Sequence, residues 1–235
     1  MKGRLEMYPC SHYRQKSLKE SLEEIYNRLY DAFGPQGWWP AETPFEVIVG
    51  AILTQSVNWS NVEKAINNLK EYNQKLTGRA ELNLELLEGL EEEKLAELIR
   101  PSGYYNMKAR KLKAFCNFLR QEYKGSLRKM FRERLEVLRA KLLVVYGIGP
   151  ETADSILLYA GGYPVFVIDA YTRRLFSRCG FVEEKVDYQE LQQLVMENFL
   201  PQLERYNEYH ALIVALGKNF CKKTNPDCQD CPLSI

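Results

Sequence analysis

Along most of this chain apolar residues recur every three or four positions, the spacing of an amphipathic helix. Leu18, Leu22, Ile25, Leu29 and Phe33 form one such stripe, which Gly34-Pro35 ends. After a loop at Gly37-Trp38-Trp39-Pro40, Pro44-Phe45 opens a second helix, in which Phe45, Val47, Ile48, Ala51, Ile52 and Leu53 are apolar nearly all round. Such a helix is predicted to be buried. The pattern stops around residues 55–59 and resumes from Asn61 with Val62, Ala65, Ile66 and Leu69, to about Tyr72. The same periodicity predicts helices over 82–90, 92–99, 107–123, 132–145, 151–160, 170–178, 188–199 and 202–217. Residues 165–168 are the one short β-branched run, and no second run is there to pair with it. The expected fold class is all-α, without internal repeats or low-complexity segments.

Composition narrows the class. The 235 residues, 46% hydrophobic and 27% charged, suffice to bury a sizeable core. No apolar run approaches the roughly 18 residues of a membrane span, and the N-terminus lacks the basic-then-apolar order of a signal peptide, so a cytoplasmic protein without a membrane partner is expected. In that setting the six cysteines read as reduced thiols or metal ligands. The net charge of +1 is unevenly spread: residues 81–99 carry seven glutamates against Lys94, whereas 100–141 is rich in lysine and arginine. That segregation predicts a basic face hidden in a neutral total, or two solvated helix surfaces of opposite sign.

Candidate chemistry concentrates in 145–174. Gly147 and Gly149, between an apolar run and a new helix, describe a tight hairpin with bare backbone amides. Pro150 just inside that helix and Glu151 in its first turn are what a helix N-terminus favours. After Gly161-Gly162-Tyr163-Pro164 comes Asp169, directly before a further helix. That carboxylate is either an N-cap or a group able to stabilise cationic charge or orient water, and the two are compatible. Cys221, Cys228 and Cys231, spaced Cys-x6-Cys-x2-Cys, are soft ligands for zinc or an iron–sulfur cluster.

The hairpin, the Gly/Pro loop with its aspartate, a glutamine turn at Gln55, the Gly103-Tyr-Tyr-Asn turn and the cysteine run together resemble the endonuclease III-like helix-hairpin-helix DNA glycosylases over most of the chain. The resemblance implies a two-lobed fold: a helical barrel over 36–163, and a second lobe of 1–35 plus 164–235 carrying the cysteine loop, with a DNA groove between them. It implies double-stranded damaged DNA as partner, a monomer, and Asp169 as the catalytic residue. Gly147, Gly149, Glu151 and Thr152 of the hairpin, Gly103 and Lys108 of the turn, with Arg110 and Lys111 beside it, are the implied DNA contacts. Gln55 is the implied plug for the gap left by a flipped nucleotide, or a helix C-terminal cap.

Members with lyase activity carry a lysine where this chain has Glu151. A carboxylate cannot form an imine, so a monofunctional enzyme is expected. Trp38, Trp39, Pro40 and Trp59 match the base pocket of the 3-methyladenine branch, and stacking on rings suits a cationic alkylated purine. The other readings are an endonuclease III-type pyrimidine glycosylase with lyase activity and a non-catalytic DNA-binding protein. The family's cysteine loop holds a 4Fe-4S cluster on four cysteines. Here the run stops two residues before the fourth, so the sequence continues, another ligand serves, or no cluster binds. Cys10, Cys116 and Cys179 are expected to be buried small hydrophobes, Asp154 to be structural or pocket-lining, Lys218 to be solvated or phosphate-facing, and His210 to be a buried, hydrogen-bonded imidazole.

Overall fold

The computed structural model describes residues 8–234, which are all-α, with no strand among them. The elements are α1 (Leu18–Phe33), α2 (Pro44–Leu53), α3 (Trp59–Thr77), α4 (Leu84–Gly89), α5 (Glu92–Leu98), α6 (Tyr105–Tyr123), α7 (Leu127–Met130), α8 (Leu135–Leu143), α9 (Pro150–Ser155), α10 (Ala170–Arg178), α11 (Tyr188–Asn198) and α12 (Leu203–Asn219). Short 3₁₀ turns cover Pro9–Gln15 and Arg100–Ser102, and α9 runs on into one π-helical turn, Ile156–Ala160. No helix among the described residues is long and apolar enough to cross a membrane.

The described residues divide into two compact units, Trp39–Tyr163 and the remainder. In the first, α2 packs on α3, α6, α9 and the π-helical turn, and Phe45 to Leu53 are buried, as a helix without a polar face requires. Thr43 caps it by accepting from the Glu46 amide at 3.2 Å. The acidic helices α4 and α5 lie against the basic helix α6. Arg120 binds Glu88 at 2.5 and 3.0 Å, and Arg110 binds Glu92 at 2.9 Å. Part of the segregated charge is thus paired within the unit.

In the second unit α1 packs on α11 and α12, and α10 packs on α12. Ser17 and Glu20 close a reciprocal cap at the start of α1, and Gly34 (φ +67°) ends it. Residues 165–168 are buried and form neither helix nor sheet. Helix α11 meets part of their backbone hydrogen bonding with side chains: Gln192 Nε2 donates to the Phe166 carbonyl at 2.6 Å, and the Ile168 amide donates to the Tyr188 hydroxyl at 3.3 Å. Buried backbone groups need such partners, and these two hold the segment that delivers Asp169.

Candidate active site

In the unit Trp39–Tyr163 the hairpin before α9 is a tight turn, closed by the Ile148 amide on the Val145 carbonyl at 3.1 Å. Gly147 has φ +80°, and a Cβ there would lie 2.3 Å from Lys111 Cγ. Ile148 is buried and anchors the turn; Tyr146 is exposed. Gly149 is the N-cap of α9 without a side chain to accept from the amides, and Pro150 and exposed Glu151 follow. The first amides of a helix have no carbonyl one turn back, and the helix dipole makes that end positive, so it favours an anion.

Gln55 is tied to this hairpin. Its Nε2 donates to the Gly147 carbonyl at 3.0 Å and to the Thr152 hydroxyl at 2.9 Å, while Lys111 donates to its Oε1. The side chain therefore does not cap α2. Thr152 is buried, with its hydroxyl accepting from Gln55 at 2.9 Å.

Lys108 overturns an expectation. It is only 2% exposed, and its ammonium donates to the Leu53 carbonyl at 2.8 Å and the Ser102 carbonyl at 2.5 Å. Both carbonyls end a helical segment, where partners within the helix run out. A cation that links the end of α2 to the Arg100–Ser102 turn inside the unit is not a phosphate contact. Burial, then the charge of Lys111, pushes its pKa down to about 8. The adjoining turn holds Gly103 at φ +64° and Tyr104 at φ +46°, with the Tyr104 ring exposed. Asp154 is fully buried in a two-pronged ion pair with Arg139 at 2.7 and 3.0 Å, a structural role.

Trp39 meets Trp59 edge-on at 5.3 Å and Tyr159 tilted at 5.1 Å. Its indole lies so close to Gly50 of α2 that a Cβ there would stand 3.2 Å from Nε1. Trp59 is fixed by donating to Glu63 at 2.7 Å, and Pro40 is exposed.

In the other unit, Asp169 is the N-cap of α10, with Oδ1 accepting the Thr172 amide at 2.7 Å. Its Oδ2 lies 3.6 Å from Nε2 of buried His210, an ion-pair separation when the imidazole is protonated and beyond hydrogen-bond range. Burial works to raise the carboxyl pKa, but His210 and the Thr172 bonds outweigh it, and the net shift is downward. Ionised carboxylate is the form that stabilises cationic charge. His210 is also edge-on to Trp38 at 6.3 Å, and the exposed Lys218 ammonium stands 5.6 Å above the Trp38 ring.

A family model described as HhH-GPD superfamily base excision DNA repair protein matches residues 49–201. The chain belongs to that superfamily. A provisionally named DNA repair glycosylase of Methanocaldococcus jannaschii is 47% identical over 221 residues, covering 91% of this chain and 94% of that protein. Endonuclease III of Thermotoga maritima is 26% identical over 188 residues, 80% of this chain and 79% of that enzyme. Among solved structures, the H. pylori 3-methyladenine DNA glycosylase bound to 1,N6-ethenoadenine superposes with a TM-score of 0.71 at 33% identity, covering 85% of this chain and 96% of that one. The molecule is a base-excision DNA repair glycosylase with an HhH-GPD fold.

Within this HhH-GPD chain the structure adds Tyr159 to the rings that sequence reading selected. Its placement depends on the π-helical turn, which no periodicity reveals. The structure also places Cys221, Cys228 and Cys231 around one cavity. Arg178 Nη1 donates to Cys221 Sγ at 3.1 Å and to the Lys222 carbonyl at 2.8 Å. Among the described residues no three donors gather tightly enough for a single metal ion. A lone ion would draw thiolates to about 2.3 Å from one point, whereas a 4Fe-4S cluster takes its thiolates on separate irons and needs them ranged around a cavity. The donor chemistry fits the cluster. Cys116 and Cys179 are buried, as expected, but Cys10 is half-exposed and borders that same cavity.

Proposed function

We propose that the protein is a monofunctional glycosylase that flips an alkylated purine of the 3-methyladenine type out of double-stranded DNA and hydrolyses its glycosidic bond. The grouping of Trp39 with Trp59 and Tyr159 carries this reading. Electron-rich rings stack well on a cationic base, and cation–π attraction contributes about 0.5–2 kcal/mol. In the other unit Trp38 stands edge-on to His210 at 6.3 Å. A positively charged base is already a good leaving group, so the chemistry asks little beyond Asp169. Its carboxylate stabilises the oxocarbenium-like sugar and orients the attacking water.

The amides of Gly149 and Glu151 at the start of α9 hold a phosphate, and the Gly103 turn holds a second stretch of backbone. Gln55 serves as plug after leaving its hairpin partners, since flipping costs a few kcal/mol and a filled gap offsets part of that. Glu151 offers no amine, which supports hydrolysis over lyase chemistry. Cys221, Cys228 and Cys231 would hold a 4Fe-4S cluster, which when bound supplies a rigid, charged core for the C-terminal loop.

A panel of single-lesion duplexes tests the reading, with release of 3-methyladenine as free base the expected result and release of oxidised pyrimidines alone the result against it. Trp59→Ala should lower excision of methylated purine about tenfold while binding to an abasic duplex holds; equal losses in both would assign the ring a folding role. The endonuclease III relative favours a second reading, a pyrimidine glycosylase with lyase activity. A covalent adduct on borohydride treatment with an abasic duplex would refute the monofunctional assignment.

A further inference from the structure

We infer that Cys10 is the fourth thiolate ligand of the iron–sulfur cluster, joining Cys221, Cys228 and Cys231; this rests on the cluster reading above. Cys10 borders the cavity that the other three line, although more than two hundred residues separate it from them in the chain. Its position is built by several independent contacts. Pro9 opens the 3₁₀ turn, and the Ser11 amide closes it on the Tyr8 carbonyl at 2.8 Å. The turn is pinned by fully buried Tyr13, whose carbonyl accepts the Ser21 hydroxyl of α1 at 2.8 Å. Arg14 Nε reaches the Gly180 carbonyl, just past α10, at 2.6 Å.

One guanidinium joins the turn to the cysteine loop. Arg178 stacks over the Tyr8 ring at 5.0 Å while donating to Cys221 Sγ and to the Lys222 and Lys223 carbonyls. A hydrogen-bonding cation against thiolate sulfur offsets the negative charge that four thiolates bring to a cluster. The other candidates at the cavity are weaker donors. The Ser234 hydroxyl is engaged by the Cys228 carbonyl, and Asp227 is a hard oxygen ligand that accepts the Asp230 amide at 3.3 Å. Cys179 lies behind Cys10, hydrogen-bonded to it and fully buried, and does not border the cavity. The result is a cluster that fastens the N-terminal turn to the C-terminal loop, where a ligand set drawn from one loop would close only on itself.

The test is made on the full chain, reconstituted without oxygen from ferrous iron and sulfide, with iron and acid-labile sulfide per chain, the visible charge-transfer absorption and the electron paramagnetic resonance spectrum as readouts. Cys10→Ser should lose iron to a chelator more than about 100-fold faster than the parent, beyond the 10–100-fold range of losing a mere supporting contact, and should yield a three-iron signal on oxidation. Cys116→Ser should match the parent in all three readouts, and Cys179→Ser should keep the parental iron and sulfide content and show no three-iron signal. A Cys10→Ser protein with parental iron content, spectrum and release rate overturns the assignment and leaves the cluster reading standing. A parent chain that takes up no iron and sulfide overturns both. Should Cys10→Ser fold poorly, thiol labelling of the parent decides: Cys10 is expected to become reactive together with Cys221, Cys228 and Cys231 only when iron is stripped, and labelling of Cys10 with the cluster intact refutes the proposal.

Discussion

Two helices in this molecule start in opposite ways. At α10 the N-cap is Asp169, whose own Oδ1 takes the Thr172 amide, so the chain satisfies its helix start from within. At α9 the N-cap is Gly149, with no side chain to do the same. The first arrangement holds a carboxylate in a fixed orientation, with its second oxygen turned toward His210. The second leaves amides for a partner from outside. The same local motif, a loop running into a helix, thus presents a carboxylate in one case and amides without a side-chain cap in the other.

Asp169→Asn tests the distinction most strongly. Asparagine still caps α10, so at neutral pH only the carboxylate's charge contribution to stability should be lost, while base release falls by about 10²–10³-fold, the usual loss on removing a charge-stabilising group. Asp169→Ala should match that loss of activity and in addition lower stability by about 1 kcal/mol; equal activity in Asp169→Asn and the parent would remove Asp169 from catalysis. The downward pKa shift means that the carboxylate is ionised throughout the neutral range. Its contribution to stability is present above the ordinary value of about 4 and should be lost only as pH falls through the lower folded value, as acid titration of the parent against Asp169→Asn would show.

Lys108 extends the comparison to cations, because it too has partners within its own chain. Lys108→Met should cost about 2–3 kcal/mol in denaturant unfolding at neutral pH, since it strands two carbonyls. The slope of DNA affinity against salt should be unchanged, because no phosphate contact is lost. From a folded pKa of about 8 to an ordinary value near 10.4, the unfolded chain holds the proton and the folded one does not. The parent should therefore gain stability relative to Lys108→Met as pH rises through that window, and lose it as pH falls through about 8.

Gly147→Ala should cost about 1–2 kcal/mol for a side chain at φ +80°, with a further displacement of Lys111 seen as altered hairpin signals in NMR. The smallest effect is the most direct reversal. Gly149 has φ −90° and ψ 179° with open space at its Cβ, so Gly149→Asp should give α9 a cap of its own. Stability is expected to rise by about 1 kcal/mol while affinity for undamaged duplex falls about tenfold; a rise in both would show that the amides do not meet phosphate.

Elements with local stop and start signals were legible in the sequence. Helix α1 runs between Ser17 and Gly34, and α10 begins after Asp169, at the residues that capping chemistry selects. Helix α3 starts at Trp59, earlier than its apolar stripe, because Asn58 adopts the extended N-cap conformation without the side-chain bond that would announce it. Helix α7 and the Pro9–Gln15 turn are too short to show a period. For the site, Asp169 and the tryptophans stood out as residue types in a telling order. The buried role of Lys108 did not, because a lysine on an amphipathic helix reads as solvent- or phosphate-facing unless one knows that the carbonyls of Leu53 and Ser102 end beside it. Cys10 was hidden for the same reason: its neighbours are close in space and remote in sequence.

The π-helical turn at 156–160 has a consequence for tolerance to length change. Gly161 bonds back five residues, to the Ile156 carbonyl at 3.0 Å, so the turn stores one residue more than α geometry would hold. Each helical residue advances the azimuth by about 100°, and removing one here would let the backbone rewind into ordinary α-helix with its hydrogen bonding intact. The residues beyond the turn would keep their register, and Tyr159 would trade its place against Trp39 with a neighbour. The segment is thus a ratchet with one spare tooth: a deletion the fold could absorb, but the ring grouping could not.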